Sequence, residues 1–176
     1  LNGMKHSLWI VREMRSRPPE LSFDFTAKIE HLIQHRDAVM ELAALGCVFV
    51  LSAVESVDDR ILQYLDKGHT RDDVVAALEI TRAAEVALRP SLLPFTPWTT
   101  LSGYLELLEF VQDHDLVYQL DPVQYSIRLL LPPGSWLLDI PEIQPHVGSL
   151  VQEDFVYTWR HPDPGVDMLQ RQVARV

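Results

Sequence analysis

Residues Cys47 to Thr70 constrain the fold more than any other stretch of the chain. Cys47-Val48-Phe49-Val50-Leu51 is an apolar run of strand length, rich in β-branched and aromatic residues. It stops at small and polar residues, Ser52, Ala53, Glu55 and Ser56, after which apolar residues recur with helical spacing at Val57, Ile61, Leu62 and Leu65. A buried strand that ends on a carboxylate and a hydroxyl and then turns into a helix is how α/β folds present ligand-binding groups.

The same alternation runs along the chain. Met4 to Arg15 has helical apolar spacing, and Arg17-Pro18-Pro19 is expected to stop that helix. Leu21 to Phe25 alternates like a strand, and Thr26 to His31 reads as a loop passing into a short helical segment. Asp37 to Leu45 is a predicted helix, with Gly46 as its C-terminal glycine. Asp58 and Asp59 suit a helix start, and Lys67-Gly68-His69 breaks that helix. Thr70, with Asp73 three residues on, is a capping box for a helix over Arg71 to Ala84. Val86 to Leu93 reads as a strand interrupted by Pro90, and Pro94 to Thr100 as a rigid loop. Leu101 to Gln112 is helical in spacing. Val117 to Leu120 is expected to be a strand, with Ile127 to Leu131 as its candidate continuation. Strands alternating with helices predict right-handed βαβ units and a parallel sheet. Starting on a helix is odd for such a fold, so an opening strand is expected to be missing. Residues 136–176 carry scattered prolines and aromatics and are expected to form an irregular extension with one short strand or helix. The expected division is therefore 1–135 and 136–176.

Composition narrows the function classes. With 176 residues, 47% of them apolar, the chain suits one domain or one piece of a larger one. A net charge of −10 with no basic patch argues against direct nucleic-acid binding. Cys47 is the sole cysteine, so neither an internal disulfide nor a multi-cysteine metal site can be built from this chain. No apolar run reaches the ~18 residues a membrane span needs, and no signal peptide is recognisable. The expectation is a cytoplasmic protein without a membrane partner. The opening Leu1-Asn2-Gly3 lacks an initiator Met, as expected if upstream residues have been removed.

Val54-Glu55-Ser56, followed by Ile61-Leu62, Leu65 and Lys67-Gly68-x-Thr70, resembles the middle of a radical S-adenosylmethionine (radical SAM) barrel. In that family a strand ends in a G-V-E-S or G-V-Q-S turn, followed by D-x-x-L-x-x-x-x-K-G-x-T, a helix, a strand and a proline-containing turn. Phe95-Thr96-Pro97-Trp98-Thr99-Thr100 stands for that last turn. The resemblance covers roughly residues 1 to 131 and is closest to the cobalamin-associated branch. It implies an α/β fold, a TIM-like partial (βα) barrel holding a four-iron four-sulfur cluster and S-adenosylmethionine, with cobalamin as a further candidate cofactor. The CxxxCxxC motif that binds the cluster is absent, so the chain is expected to be the C-terminal part of a longer enzyme, inactive by itself. Glu85 also replaces the glycine usual before the next strand.

The resemblance places Glu55 near the ribose or amino group of the cofactor; its alternative is a helix-end acid. Ser56 is read as a helix N-cap before a ligand contact. Lys67 resembles a basic residue that reaches the cofactor carboxylate, or is an exposed helix-end lysine; His69 beside it reads as a solvated turn residue. Lys28, with Glu30, follows a strand where relatives carry a basic residue and an acid. Asp24 and Thr26 share one face of their strand, either facing inward in a barrel or forming a polar outer face. Arg89 lies in an apolar strand and needs a partner if buried, either a cofactor or substrate or one of Asp24 and Glu55. Trp98 could stack on a ligand but packing is more usual, and Asp121, Gln124 and Arg128 border either a substrate or solvent. Cys47 reads as core. His31 and His35 are four residues apart but lack a third metal ligand nearby.

Three functions follow: a radical SAM fragment acting on an unknown substrate, a catalytically silent α/β barrel module binding a partner or small molecule, and an unrelated hydrolase or transferase using Glu55 and His69. A truncated barrel leaves sheet edges and core uncovered, so self-association into a homo-oligomer is expected.

Overall fold

The computed structural model describes residues 3–16 and 21–175. The expected helix stop at Arg17-Pro18-Pro19 lies outside the described residues. The chain divides into two compact units, one formed by residues up to Val54 with Gly68–Ser91, the other by Glu55–Lys67 with residues from Leu92 onward.

The first unit opens with α1 (Gly3–Arg15), β1 (Phe23–Thr26), α2 (Ile29–Gln34) and α3 (Arg36–Ala44). Gly46, at φ 102°, turns the end of α3 into β2 (Cys47–Glu55); a Cβ there would meet the Leu21 carbonyl oxygen at 3.2 Å, so the position requires glycine. After α5 (Arg71–Ala83), β3 (Ala87–Leu92) completes a sheet ordered β1-β2-β3, with β1 and β2 parallel. Pro90 is tolerated because β3 is an edge strand. β2 continues four residues past the expected stop at Leu51. Its alternation of buried Val50, Ser52 and Val54 with exposed Leu51 and Ala53 is a strand signal that the small residues masked. Val50 and Val54 are buried along with Ile29, Leu32, Val39, Leu42, Val74, Ala77 and Leu78 of the helices. α2 packs on α5, and α1 on α3. The other sheet face is open: Asp24 aligns with Phe49 and Thr26 with Leu51, and Asp24, Thr26 and Leu51 are all exposed.

The capping box predicted at Thr70 forms. The Thr70 hydroxyl accepts from the Asp73 N–H, and the Asp73 carboxylate accepts from the Thr70 N–H.

The second unit holds α4 (Asp59–Tyr64), α6 (Leu101–Asp113), the antiparallel hairpin β4 (Val147–Val151) and β5 (Val156–Trp159), and α7 (Pro164–Val173). Two expectations are corrected here. Val117–Gln119 is a single helical turn, not a strand: Leu116 and Leu120 are buried while Tyr118 is 94% exposed, which is turn spacing rather than alternation. Ile127 to Leu131 is extended on its own, bonded to Phe95 on one side and Tyr157 on the other. Nor are the residues after 136 irregular. They supply a hairpin and a helix, and Trp159 of the hairpin with Ile143 of the turn before it completes a core with Leu129, Leu131 and Leu137. Sequence alternation misses these strands because β4 buries neither face fully.

Candidate functional site

The C-terminal end of β2 gathers three of the five candidate residues in the second unit. Glu55 ends the strand with φ 65°, a left-handed conformation that costs a non-glycine residue about 1–2 kcal/mol. Two contacts hold it there. Its carbonyl accepts the Leu93 N–H at 2.8 Å, and its Oε1 lies 3.2 Å from Lys67 Nζ. Both side chains are about four-fifths buried, at 22% and 23% exposed. At an effective dielectric of ~20 the gross attraction is about 5 kcal/mol, most of it offset by desolvation. The pair therefore does more to aim the carboxylate than to stabilise the fold. An ammonium beside a carboxylate can receive the opposite charges of an α-amino acid group, since Lys67 and Glu55 both retain unused hydrogen-bonding positions.

Ser56 is buried and its hydroxyl accepts the Asp58 N–H at 3.1 Å. It is not the cap of α4. Asp58 is, accepting from the Arg60 and Ile61 N–H groups, because the helix begins at Asp59, two residues later than a Ser56 cap requires. Gly68, at φ 70°, ends the segment after Lys67. His69 is no solvated turn residue: it is nine-tenths buried in the first unit, and its Nε2–H donates to the Val54 carbonyl at 3.2 Å. Its sequence signal was its place between a left-handed glycine and a helix cap, where a buried side chain is easily overlooked.

Lys28 and Arg89 belong to the first unit. Lys28 precedes α2, is 71% exposed and lies 3.5 Å from Glu30. Arg89 is exposed between buried Leu88 and Pro90, with its guanidinium carbon 4.5 Å from the Phe49 ring centroid. Its partner is thus an aromatic face, a contact worth ~0.5–1 kcal/mol at such a site.

Several polar candidates turn out to be tethers within the second unit. Gln124 Oε1 accepts the Leu92 N–H at 2.8 Å. Arg128 donates to Asp167 at 2.6 Å and to the Trp159 carbonyl at 3.0 Å, and stacks 3.5 Å over the Trp159 ring. Trp98 donates to the Glu142 carbonyl and packs against Tyr64 at 4.8 Å. Long-range partners of this kind carry no sequence signal.

Cys47 starts β2, at the end opposite Glu55, and burial pushes its thiol up to about 11. An iron–sulfur cluster needs several thiolates. A single neutral thiol does not fit one, and no group of three His, Cys, Asp or Glu able to hold a metal occurs among the described residues. The His31 and His35 rings lie 6.4 Å apart and tilted, with Glu30 3.5 Å from His31. No helix among the described residues is long and apolar enough to cross a membrane.

The fold is thus a mixed α/β architecture built on a parallel strand pair, with a carboxylate–ammonium pair at the carboxyl end of its middle strand. Among solved structures it is similar to the cobalamin-dependent S-adenosylmethionine radical enzyme OxsB with aqua-cobalamin and S-adenosylmethionine bound. The TM-score is 0.76 at 13% identity, over 96% of this chain and 30% of that one. The form of OxsB with aqua-cobalamin alone gives a TM-score of 0.75, again at 13% identity and over 96% of this chain and 30% of that one. The radical S-adenosylmethionine methyltransferase TsrM from Kitasatospora setae, with cobalamin and a [4Fe-4S] cluster bound, is similar over 64% of this chain and 24% of its own, with a TM-score of 0.53 and 16% identity. These likenesses are of fold, and the chain spans 30% of OxsB's length. No family model matches the sequence, and no curated protein matches it.

Proposed function

We propose that this chain is part of a radical SAM enzyme of the cobalamin-associated kind, acting on an unknown substrate, and that it contributes the Glu55–Lys67 pair to the S-adenosylmethionine site. The observation that carries this is the agreement in fold with OxsB over 96% of the chain, together with the pair at the motif-bearing end of β2. Lys67 takes the cofactor's carboxylate and Glu55 its ammonium or ribose hydroxyls, with Ser56 in the same turn. Lys28, in the turn between β1 and α2, and Arg89, on β3, are further candidate contacts to the cofactor. S-adenosylmethionine, when reductively cleaved, supplies a 5′-deoxyadenosyl radical. The cluster does not fit the residues of this chain, so by itself the chain binds without turning over. Residues 1–135 form the barrel part, residues 136–176 its extension, and the enzyme is cytoplasmic. The open sheet face, with Leu51 40% exposed, favours self-association of the separate chain.

The deciding experiment is calorimetric titration of S-adenosylmethionine into this chain and into Lys67→Met and Glu55→Gln. On the longer protein, purified without oxygen, iron, sulfide and 5′-deoxyadenosine are measured. Binding weakened in both variants, with about four irons and 5′-deoxyadenosine formed in the longer protein, is expected. No iron and no 5′-deoxyadenosine would instead favour a silent α/β module that binds a partner or small molecule.

A further inference from the structure

We infer that His69 is a positioning residue that fixes the peptide between Val54 and Glu55 and thereby holds Glu55 in its left-handed turn toward Lys67. The inference rests on the assignment of Glu55 and Lys67 to a binding site, but its structural half can be tested without any ligand.

At Glu55 the sheet ladder of β2 ends and the chain bends to φ 65°. The Val54 carbonyl sits one residue before this bend, and Val54 is 1% exposed, so water cannot supply its partner. His69 supplies it: a carbonyl can only accept, so the 3.2 Å contact requires a proton on Nε2. Val54 and His69 lie in the same compact unit, and their effect on Glu55 passes through one peptide bond. The side chain is carried to that carbonyl by its own local structure. Gly68 takes a positive φ just before it, and Thr70 starts the capping box of α5 just after it. The ring thus hangs from a rigid helix start. Rotation of the Val54–Glu55 peptide would strand a buried acceptor, so the strain at Glu55 is over-determined by His69 on one side of the residue and by the Leu93 N–H on its own carbonyl.

The Leu93 amide, bonded to the Glu55 carbonyl at 2.8 Å, is the reporter. Amide hydrogen exchange is measured on the whole chain and on His69→Phe, which keeps a ring but loses the donor. Leu93 exchange is expected to accelerate about 10- to 100-fold, while amides in the middle of α5 stay unchanged. His69→Gln, which restores an N–H donor, is expected to recover most of the protection. In a Glu55→Gly background, where positive φ carries no strain, the effect of His69→Phe shrinks. Unchanged Leu93 exchange in His69→Phe overturns the inference, as does uniform acceleration across the unit, which would make His69 an ordinary core residue. If the Phe variant does not fold, histidine nitrogen NMR of the wild type decides: a ring protonated on Nδ1 alone overturns the inference. S-adenosylmethionine titration separates the two halves. If wild type does not bind while Leu93 responds as expected, the site assignment fails and the positioning role stands. If wild type binds and His69→Phe weakens binding about tenfold, both stand.

Discussion

Glu55 should show an inverted ranking of alanine and glycine. Both substitutions remove the carboxylate, so the loss of the Lys67 partner, 3.2 Å away, cancels between them. What differs is the backbone. Alanine must keep φ near 65° against a cost of about 1–2 kcal/mol, whereas glycine adopts it freely. Glycine's greater unfolded-state entropy opposes this by ~0.4–1 kcal/mol. The net expectation is that Glu55→Gly is more stable than Glu55→Ala by about 0.5–1 kcal/mol, the reverse of the order at ordinary strand positions. Urea denaturation followed by circular dichroism, with both variants and wild type measured side by side, reads this as a higher midpoint for the glycine variant at equal slope. If alanine proves equal or better, Glu55 is not held left-handed and the account of its positioning fails.

Arg128→Ala removes both the Asp167 pair and the stack on Trp159, and should cost about 2–3 kcal/mol, with hydrogen exchange in α7 accelerating before that in α6. Unaltered α7 protection would show the tether to be inert. Cys47 is pushed up to about 11 by burial, so its alkylation by iodoacetamide at pH 8 should run roughly 100-fold slower than that of a free thiol; comparable rates would mean that β2 opens readily. The two Thr70 hydrogen bonds lower the Asp73 carboxyl below its ordinary value. Its stabilising contribution is therefore full above the ordinary carboxylate range and is lost as pH falls through the lowered value. Thr70→Ala loses the hydroxyl but keeps the backbone N–H on Asp73, the larger cause, so it should reduce that acid limb only in part and cost about 1 kcal/mol at neutral pH, measured by denaturation at several pH values.

Much of the local structure was legible in the sequence because its causes are local. The capping box at Thr70, the glycine at Gly46 and the apolar start of β2 depend on residues within a few positions of one another. The motif around Glu55 and Lys67 singled out both residues, but the ion pair between them was not foreseen from the sequence and is seen only in the structure. Contacts between distant segments decided the rest. β2 runs to Glu55 because β1 and β3 flank it. Residues 117–120 form a turn because Leu116 and Leu120 both point into the core. Arg128 became a tether and Arg89 a cap on Phe49 through partners 39 and 40 residues away in sequence. His69 became a buried donor because the fold brings the Val54 carbonyl within 3.2 Å of its ring. A sequence records which groups are available, and only the packed chain determines which of them must satisfy one another once water is excluded.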